Sequence, residues 1–261
     1  MTRSASITRV CAAIVAGGLS LAAAPASSPA RAGDAPAAAA ETDEGPAAPG
    51  PASLSIAPLR VEIEGAGAGA TVRLTNASDH ALPVQSRLFA WSQADGEDIY
   101  APSSDLTVSP SITSIPAGQT QVVRILRKGA ATPGEKRFRL AVDQLPDPAL
   151  ARPGQALTRI RFTLPVFVDR DKAAPAAFAW RIAQDRLELA NTGGATARVL
   201  DLQVTAADGR IVPVERNALR YVHGSSTIAW PIRGGCSFGP VRVTAQIDGQ
   251  AVDGIAAPAC G

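Results

Sequence analysis

The 261-residue sequence predicts an all-β protein made of two tandem immunoglobulin-like β-sandwich domains. Short segments of alternating apolar and polar residues follow one another from about residue 53 to the C-terminal end. Turn residues separate these segments, and none of them keeps a convincing helical period. About seven short strands with this spacing are typical of one immunoglobulin-like sandwich. The remaining length of about 210 residues suits two domains of about 100 residues each.

The first 52 residues are not expected to belong to this fold. Arg3 and Arg9 precede an apolar, Ala-rich run over 10–24, and small residues at cleavage-site spacing follow it. This layout is typical of a secretory signal peptide, which we place at 1–32. The run is shorter than the ~20 apolar residues of a membrane span, so we expect export without membrane insertion. Residues 33–52 are nearly all Ala, Pro, Gly, Asp and Glu, and this composition predicts a disordered linker.

Charge limits the partners that the exported chain can attract. The formal net charge is +2, and removal of the three arginines within the predicted leader changes it to −1. A nearly neutral chain has no bulk attraction for nucleic acid or for an anionic membrane. Any recognition through arginines must therefore be local.

Two cysteines, Cys236 and Cys260, remain once the leader is removed. In an oxidising compartment this pair predicts a disulfide, and two buried free thiols are the alternative. Together with His80 and His223 they do not have the spacing of a zinc finger. We expect neither a metal nor a cofactor.

The first predicted domain, residues 53–170, contains five clear strand patterns before its last strand. They lie at 59–64, 72–74, 83–91, 120–126 and 137–145. The second predicted domain, 171–261, repeats part of this order. In both domains an alternating strand ends at an asparagine turn, at Asn76 and at Asn191, and a second strand follows. The repeat supports two sandwiches of the same class.

The segment 157–168 is the most informative strand of the chain. Alternation places Ile160, Phe162 and Leu164 on one face and Arg159 and Arg161 on the other. Such a strand can contribute to the protein's own core and can also be lent to a partner. We interpret it as a strand that pairs with another protein.

No catalytic constellation is evident. His80 and His223 have no Ser or Cys partner close in sequence, and both are expected to be exposed loop residues. A phosphate-binding Gly-x-x-x-x-Gly-Lys-Ser/Thr loop is missing as well. We therefore expect a protein that is not an enzyme.

Several segments together resemble the periplasmic pilus and fimbrial assembly chaperones, the PapD-like family, in the branch that serves spore-coat-U-like pilins. Each motif is weak alone, but all of them follow the order of the family from about residue 53 to 170. They are Ile56-Ala57-Pro58-Leu59-Arg60-Val61, Leu74-Thr75-Asn76, Leu82-Pro83-Val84-Gln85, Phe89-Ala90-Trp91, Val108-Ser109-Pro110, 115–124, 142–146 and 161–168. After residue 170 the resemblance is thin.

The resemblance implies a periplasmic chaperone for pilus subunits, which passes its subunit to an outer-membrane usher. In this family two basic residues hold the C-terminal carboxylate of the subunit. By position they correspond to Arg60 and Arg161, with Arg159 as the alternative to Arg161. A guanidinium suits this role because it binds a carboxylate through two charge-assisted hydrogen bonds.

The resemblance also implies donor-strand complementation, in which alternate side chains of the lent strand fill a groove of the subunit. The candidate donor residues are Leu157, Ile160, Phe162 and Leu164. Large apolar residues are scarce just before them, at 151–156, where family members often have them. A short donated segment, or an apolar face that belongs to the chaperone's own core, would each explain this difference.

Three other functions remain open at this point. A structural or adhesive surface protein with two immunoglobulin-like domains would share the fold but would have no subunit to bind. A carbohydrate- or peptide-binding module would need an aromatic cluster, whereas Trp91, Trp180 and Trp230 are dispersed in the sequence. An exported enzyme is the last alternative.

Overall fold

The computed structural model describes residues 53–65, 67–130, 133–146, 159–215 and 217–260. The predicted signal peptide and linker lie outside these residues, as does Leu157. Ten strands lie between Leu54 and Val168: β1 (Leu54–Ala57), β2 (Val61–Ile63), β3 (Gly69–Asn76), β4 (Leu82–Ala94), β5 (Glu97–Pro102), β6 (Leu106–Ser109), β7 (Ile112–Ile115), β8 (Thr120–Arg127), β9 (Lys136–Gln144) and β10 (Arg161–Val168).

These ten strands form a two-sheet sandwich. One sheet has the order β1-β3-β8-β6, and the other has the order β2-β10-β9-β4-β5, with β7 paired to β4. Alternate residues of the two sheets meet in one apolar core that includes Val72, Leu74, Ile125 and Leu140. The alternation seen in the sequence therefore separates core residues from surface residues, as expected for a sandwich.

Eight more strands follow: β11 (Phe178–Ala183), β12 (Arg186–Asn191), β13 (Ala197–Thr205), β14 (Ile211–Val212), β15 (Arg220–Val222), β16 (Ser226–Pro231), β17 (Val241–Ile247) and β18 (Gln250–Pro258). They are connected in the order β14-β13-β17-β18-β11-β12-β16, with β15 beside β13. Strand β18 pairs with β17 along most of its length and with β11 at Ala257 and Pro258. It thereby joins two layers around a second apolar core.

The predicted disulfide is present. Cys236 and Cys260 are bonded, with their Cα atoms 6.3 Å apart. Cys236 lies in the short 3₁₀ turn Gly235–Phe238, and Cys260 follows β18. The bond ties the C-terminal end of the chain to the second sandwich.

The prediction of an all-β fold with two immunoglobulin-like sandwiches is confirmed. The boundary predicted between residues 170 and 171 stays a prediction. One detail of the prediction is wrong. Leu59 was expected on the apolar face of a strand over 59–64, but it is 71% exposed. The strand there is β2, which begins only at Val61, so Leu59 lies outside it. Strands β5, β6 and β7 were not predicted.

Candidate functional site

Strand β10 has a neighbouring strand along its whole length on one side, but along only part of its length on the other side. Its antiparallel neighbour β9 pairs with all eight residues, from Arg161 to Val168. On the other side, β2 pairs in parallel with Val166, Phe167 and Val168. The stretch Arg161–Pro165 therefore has no strand partner on that side among the described residues. We call this stretch the free edge.

The direction of the backbone groups follows from two hydrogen bonds. The N–H of Gln144 in β9 donates to the carbonyl of Ile160 (2.9 Å), so even-numbered residues direct their polar backbone groups toward β9. The N–H of Asp169 donates to Ile63 on the opposite side (2.9 Å). Odd-numbered residues therefore direct theirs outward. Arg161 and Thr163 present N–H and carbonyl groups at the free edge, and Pro165, which has no N–H, ends it.

The side chains of β10 alternate between two environments. Leu164 is 2% exposed and Val166 is fully buried, and both belong to the core of the first sandwich, against which the half-buried Phe162 also packs. Ile160, just before β10, is half-buried. Of the predicted donor residues, Leu164 therefore fills the chain's own core, while Ile160 and Phe162 are partly accessible.

Arg161 lies at the start of the free edge and is already ion-paired. Its side chain is 62% exposed, and its Nε donates a hydrogen bond to Asp143, the residue opposite it on β9. Arg87 donates a second hydrogen bond to the same carboxylate (2.7 Å). Burial opposes ionisation of Asp143, but the hydrogen bonds from Arg161 and Arg87 hold the pKa of this carboxyl below its ordinary value. Arg159, the alternative residue, is exposed beside Arg161.

Arg60 lies at the other end of the free edge. It immediately precedes Val61, the β2 partner of Val166, and therefore lies at the level of Pro165. Its guanidinium pairs with Glu62 and lies 4.9 Å from the ring centre of Phe167. Arg161 begins four residues earlier on β10, a separation of ~13 Å along a strand. The structure therefore does not bring Arg60 and Arg161 together.

A cleft of about 600 Å³ lies beside this face of the sheet. Residues of the first sandwich line one side, including Thr163 and Arg139, and residues of the second sandwich line the other, including Leu219 and Tyr221. Trp91 lies at an edge-to-face angle to Tyr221, with ring centres 5.3 Å apart. Tyr221 lines the cleft and Trp91 is buried, and we call this pair the aromatic floor. Electrostatic contacts made on such a low-dielectric surface are stronger than in water.

Arg139 is the cation on this aromatic floor. Its guanidinium carbon lies 3.7 Å from the ring centre of Trp91 and 5.0 Å from that of Tyr221. Its Nε is buried without a hydrogen-bond partner. Among the described residues no carboxylate forms an ion pair with it, although it lies close to the hydroxyl of Tyr100. Burial and the nearby Asp98 raise the pKa of that hydroxyl, and Arg139 opposes the rise.

His223 corrects the expectation of an exposed loop histidine. It is 1% exposed, its ring packs edge-on against Trp91 at 4.2 Å, and neither ring nitrogen has a hydrogen-bond partner. Burial, with a smaller repulsion from Arg137, lowers the pKa of His223 to about 3. This histidine is therefore neutral and belongs to the contact between the sandwiches, where Gln93 accepts its backbone N–H (2.9 Å).

A polar network also joins the two sandwiches. The buried carboxylate of Glu135 accepts hydrogen bonds from Arg170 (2.6 Å), from Arg137 (2.9 Å) and from the backbone N–H of Thr196 (3.0 Å). Arg170 also donates to the carbonyl of Thr196 (2.5 Å) and reaches Asp248 at 3.4 Å. Because residues of both sandwiches share these charges, the network fixes the walls of the cleft.

The described residues contain no group of three His, Cys, Asp or Glu side chains arranged to hold a metal ion. No helix within the described part of the chain is long and apolar enough to cross a membrane.

A family comparison identifies the first sandwich. Residues 53–172 match the model of the family described as pili and flagellar-assembly chaperone, PapD N-terminal domain. The first sandwich thus matches the PapD-like chaperone family, and the match covers 120 of the 261 residues. The resemblance seen in the sequence is thereby confirmed at the level of the family. No curated protein matches the sequence.

Solved structures of pilus chaperones have the same fold. The chain is similar to the chaperone in the CsuC–CsuE chaperone–tip subunit pre-assembly complex from archaic chaperone-usher Csu pili of Acinetobacter baumannii, with a TM-score of 0.63 and 21% identity over 79% of this chain and 99% of that chain. It is also similar to the SafB chaperone in complex with the SafA pilin of Salmonella enterica, with a TM-score of 0.56 and 20% identity over 78% and 96%. For the E. coli chaperone DraB the TM-score is 0.54 and the identity is 19%, over 78% of this chain and 95% of that chain. These likenesses establish the shared fold.

Sequence reasoning missed Arg139 and the burial of His223. A signal for Arg139 existed, because alternation along β9 places it on the face opposite Phe138 and Leu140. No signal revealed the partners of that face, since Trp91 and Tyr221 come from distant parts of the chain. Only the packing of the two sandwiches brings them together.

Proposed function

We propose that this protein is a periplasmic chaperone for pilus subunits, which binds its subunit along β10 and passes it to an outer-membrane usher. The observation that carries the proposal is the free edge, Arg161–Pro165. It offers backbone groups that no described strand pairs, directly beside the segment of β10 that β2 covers. The match of residues 53–172 to the PapD N-terminal domain model supports the same function.

The physical basis is strand addition. A pilus subunit whose sandwich lacks its last strand exposes an apolar groove and unpaired backbone groups. A strand of the subunit that pairs with β10 would receive hydrogen bonds from the N–H groups of Arg161 and Thr163 and would donate to their carbonyls. Main-chain bonding of this kind protects the incomplete subunit from pairing with other chains.

The side chains that enter the groove are proposed to be Ile160 and Phe162. Both are only partly buried in the free chain. Leu164 is removed from the proposed set, because it would have to leave the core of the first sandwich, where it is 2% exposed. Leu157 lies outside the described residues and stays a prediction.

The end of the free edge suggests where the carboxylate of the subunit would lie. Strand β2 occupies the edge from Val166 onward, so an added strand must stop at Pro165. If the added strand runs parallel to β10, as β2 does, its carboxyl terminus reaches Arg60. This supports Arg60 as one carboxylate-binding residue. Arg161 and Arg159, at the opposite end of the edge, stay predictions.

The proposal is tested by co-expressing the tagged chain in the periplasm with the pilus subunits of its own organism. Subunit recovered with the tag is identified by mass spectrometry, and its ratio to the chain is measured. We expect a 1:1 complex with the wild type. The variant Ile160→Asp should lose the complex, because it would place a charge in an apolar groove. The control Ile255→Asp, at an isoleucine that is 62% exposed in the second sandwich, should keep it.

One result would overturn the proposal: a folded wild-type chain that retains no subunit although the subunits are expressed. The structural or adhesive surface protein would then become the better account of this fold.

A further inference from the structure

We propose that Arg139 is the second residue that binds the C-terminal carboxylate of the subunit, together with Arg60. This inference rests on the proposed chaperone function and replaces Arg161, which the family resemblance assigns to this role. Three independent features of the structure support it: the position of Arg139 in the sheet, its lack of a carboxylate partner and its aromatic setting.

The first feature is position. Arg139 pairs with Pro165 across β9 and β10, and Arg60 lies at the level of Pro165 on the β2 side. The two arginines therefore flank the residue at which the free edge ends. Adjacent strands lie ~4.8 Å apart, so the Cα atoms of Arg60 and Arg139 are separated by about 10 Å. Two extended arginine side chains can reach one carboxylate across that distance.

Both side chains also belong to the same face of the sheet. Val61 is in the core, so its neighbour Arg60 lies on the opposite face, and Phe138 and Leu140 place Arg139 on that face in the same way. This is the face that lines the cleft. A carboxylate that lies over Pro165 would therefore meet a guanidinium on each side.

The second feature is that no carboxylate pairs with Arg139 within the described residues, although its side chain hydrogen-bonds the hydroxyl of Tyr100. Of the other arginines that line the cleft, Arg220 donates to the carbonyls of Ala229 and Gly96, and Arg186 is exposed to solvent rather than buried. Arg137 and Arg170, which belong to the polar network between the sandwiches, bind Glu135. Arg198 also has a partnerless buried Nε, but it does not line the cleft. Within the described residues, Arg139 is the cleft-lining arginine with a buried, unpartnered donor and no carbonyl or carboxylate bound to it.

The third feature is the setting of the guanidinium. Stacking on Trp91 and contact with Tyr221 hold the charge in place, so little conformational freedom is lost when an anion binds. A hydrogen bond between charged groups contributes ~1.5–3 kcal/mol, which corresponds to an affinity change of about tenfold or more.

The experiment is a double-mutant cycle on the intact complex. The chain is used as the wild type and as the variants Arg139→Gln, Arg60→Gln and Arg161→Gln. Each is combined with two forms of the subunit recovered by co-expression. One form has the natural C-terminus, and the other has a Gly-Ser-Gly extension that moves the carboxylate. Dissociation constants are measured by titration calorimetry, and thermal melting of each chain variant is recorded beside them.

We expect Arg139→Gln and Arg60→Gln each to weaken binding of the natural subunit about tenfold or more, and Arg161→Gln to change it less than about twofold. The Gly-Ser-Gly extension should weaken binding of the subunit to the wild-type chain by a similar factor. It should weaken binding to the Arg139→Gln variant only a little further, because that variant has already lost the contact with the carboxylate. Such non-additivity is the signature of a direct contact.

Two outcomes would overturn the inference while the chaperone function stands. One is unchanged affinity of Arg139→Gln for the natural subunit. The other is an equal loss for both subunit forms, which would mean that Arg139 acts only through its packing on Trp91. A wild-type chain that binds neither form would instead refute the proposed function itself.

Discussion

At the scale of single residues, two asparagines explain why the two halves of the sequence look alike. Asn76 is fully buried, and its amide donates to the carbonyls of His80 (2.7 Å) and Ile115 (2.9 Å). Asn191 is buried in the same way and donates to Ala195 (2.8 Å), again four residues along the chain. Each side-chain oxygen accepts the backbone N–H two residues later. The two similar turns in the sequence therefore have the same structural role. In each, the asparagine side chain provides hydrogen-bond partners for backbone groups of a turn that closes over the core.

Replacing either asparagine should destabilise its sandwich. Asn76→Ala and Asn191→Ala leave buried carbonyls without donors, and we expect each to lower the free energy of unfolding by ~1–3 kcal/mol. Urea unfolding monitored by tryptophan fluorescence measures the change. The control is Asn217→Ala, since Asn217 is exposed and its amide donates to the carbonyl of Leu202 (2.6 Å). A loss as large in the control as in the two buried asparagines would contradict this account.

His223 gives the protein a dependence of stability on pH. The pKa of His223 is lower in the folded chain, about 3, than the ordinary value of 6.5. As the pH falls below 6.5, the unfolded chain therefore binds a proton that the folded chain does not bind. Stability should then decrease by at most ~1.4 kcal/mol per pH unit from this residue.

This dependence can be measured between about pH 6.5 and about pH 5.5, above most of the range in which ordinary carboxyl groups titrate. Thermal melting of the wild type should show a midpoint that falls as the pH is lowered. The variant His223→Gln, which has no titrating ring, should show a flatter profile. Profiles of equal slope would mean that His223 is not the group responsible.

At the scale of elements, β10 is divided between two uses. Its C-terminal part, from Val166, is enclosed by β2 and β9, while among the described strands only β9 pairs with its N-terminal part. Pro165 marks the change. A proline costs no ladder hydrogen bond at this position, because the missing N–H would point toward the free edge.

A proline introduced two residues earlier tests this division. Thr163→Pro removes an outward N–H but no bond to β9, so we expect little loss of stability and a loss of subunit affinity of about tenfold or more. Thr163→Ala keeps the N–H and should bind like the wild type. Affinity is measured with the subunit recovered by co-expression, and melting of each variant shows whether the fold is kept. Normal binding by Thr163→Pro would exclude the free edge as the binding element.

The alternation of apolar residues was enough to predict the main core strands and the sandwich class, because burial on one face of a sheet leaves a direct trace in the sequence. It did not predict β5, whose residues are all exposed, or the short strands β6 and β7. The same pattern could not show that Leu164 lies in the core while Phe162 is only partly buried, since both lie on one face of β10. The relation between Arg60 and Arg161 was also not predictable. It depends on the register of β2 against β10, which sequence spacing does not fix.

At the scale of the whole molecule, the cleft depends on the charges shared between the sandwiches. The side chain of Glu135 is completely buried and binds two arginines, Arg137 and Arg170. A buried ion pair is strongly coupled to the fold because loss of one partner leaves the other charge uncompensated.

The variant Glu135→Gln should therefore destabilise the protein by about 3 kcal/mol and loosen the contact between the sandwiches. Urea unfolding measures the first effect, and small-angle X-ray scattering measures the second as an increase in the radius of gyration. Glu215→Gln is the matched control, since Glu215 is 47% exposed and pairs with the exposed Arg233. That control should change stability by less than ~1 kcal/mol. Equal effects of both variants would show that the network does not hold the cleft.

The central claim is that a subunit pairs with the free edge of β10, and amide hydrogen exchange tests it most directly. Exchange at single residues is followed by NMR for the chain alone and in complex with its subunit. The account predicts that the amides of Arg161 and Thr163 exchange quickly in the free chain and become protected in the complex, while Phe162 and Leu164, bonded to β9, are protected in both. A stable complex in which Arg161 and Thr163 still exchange quickly would contradict it.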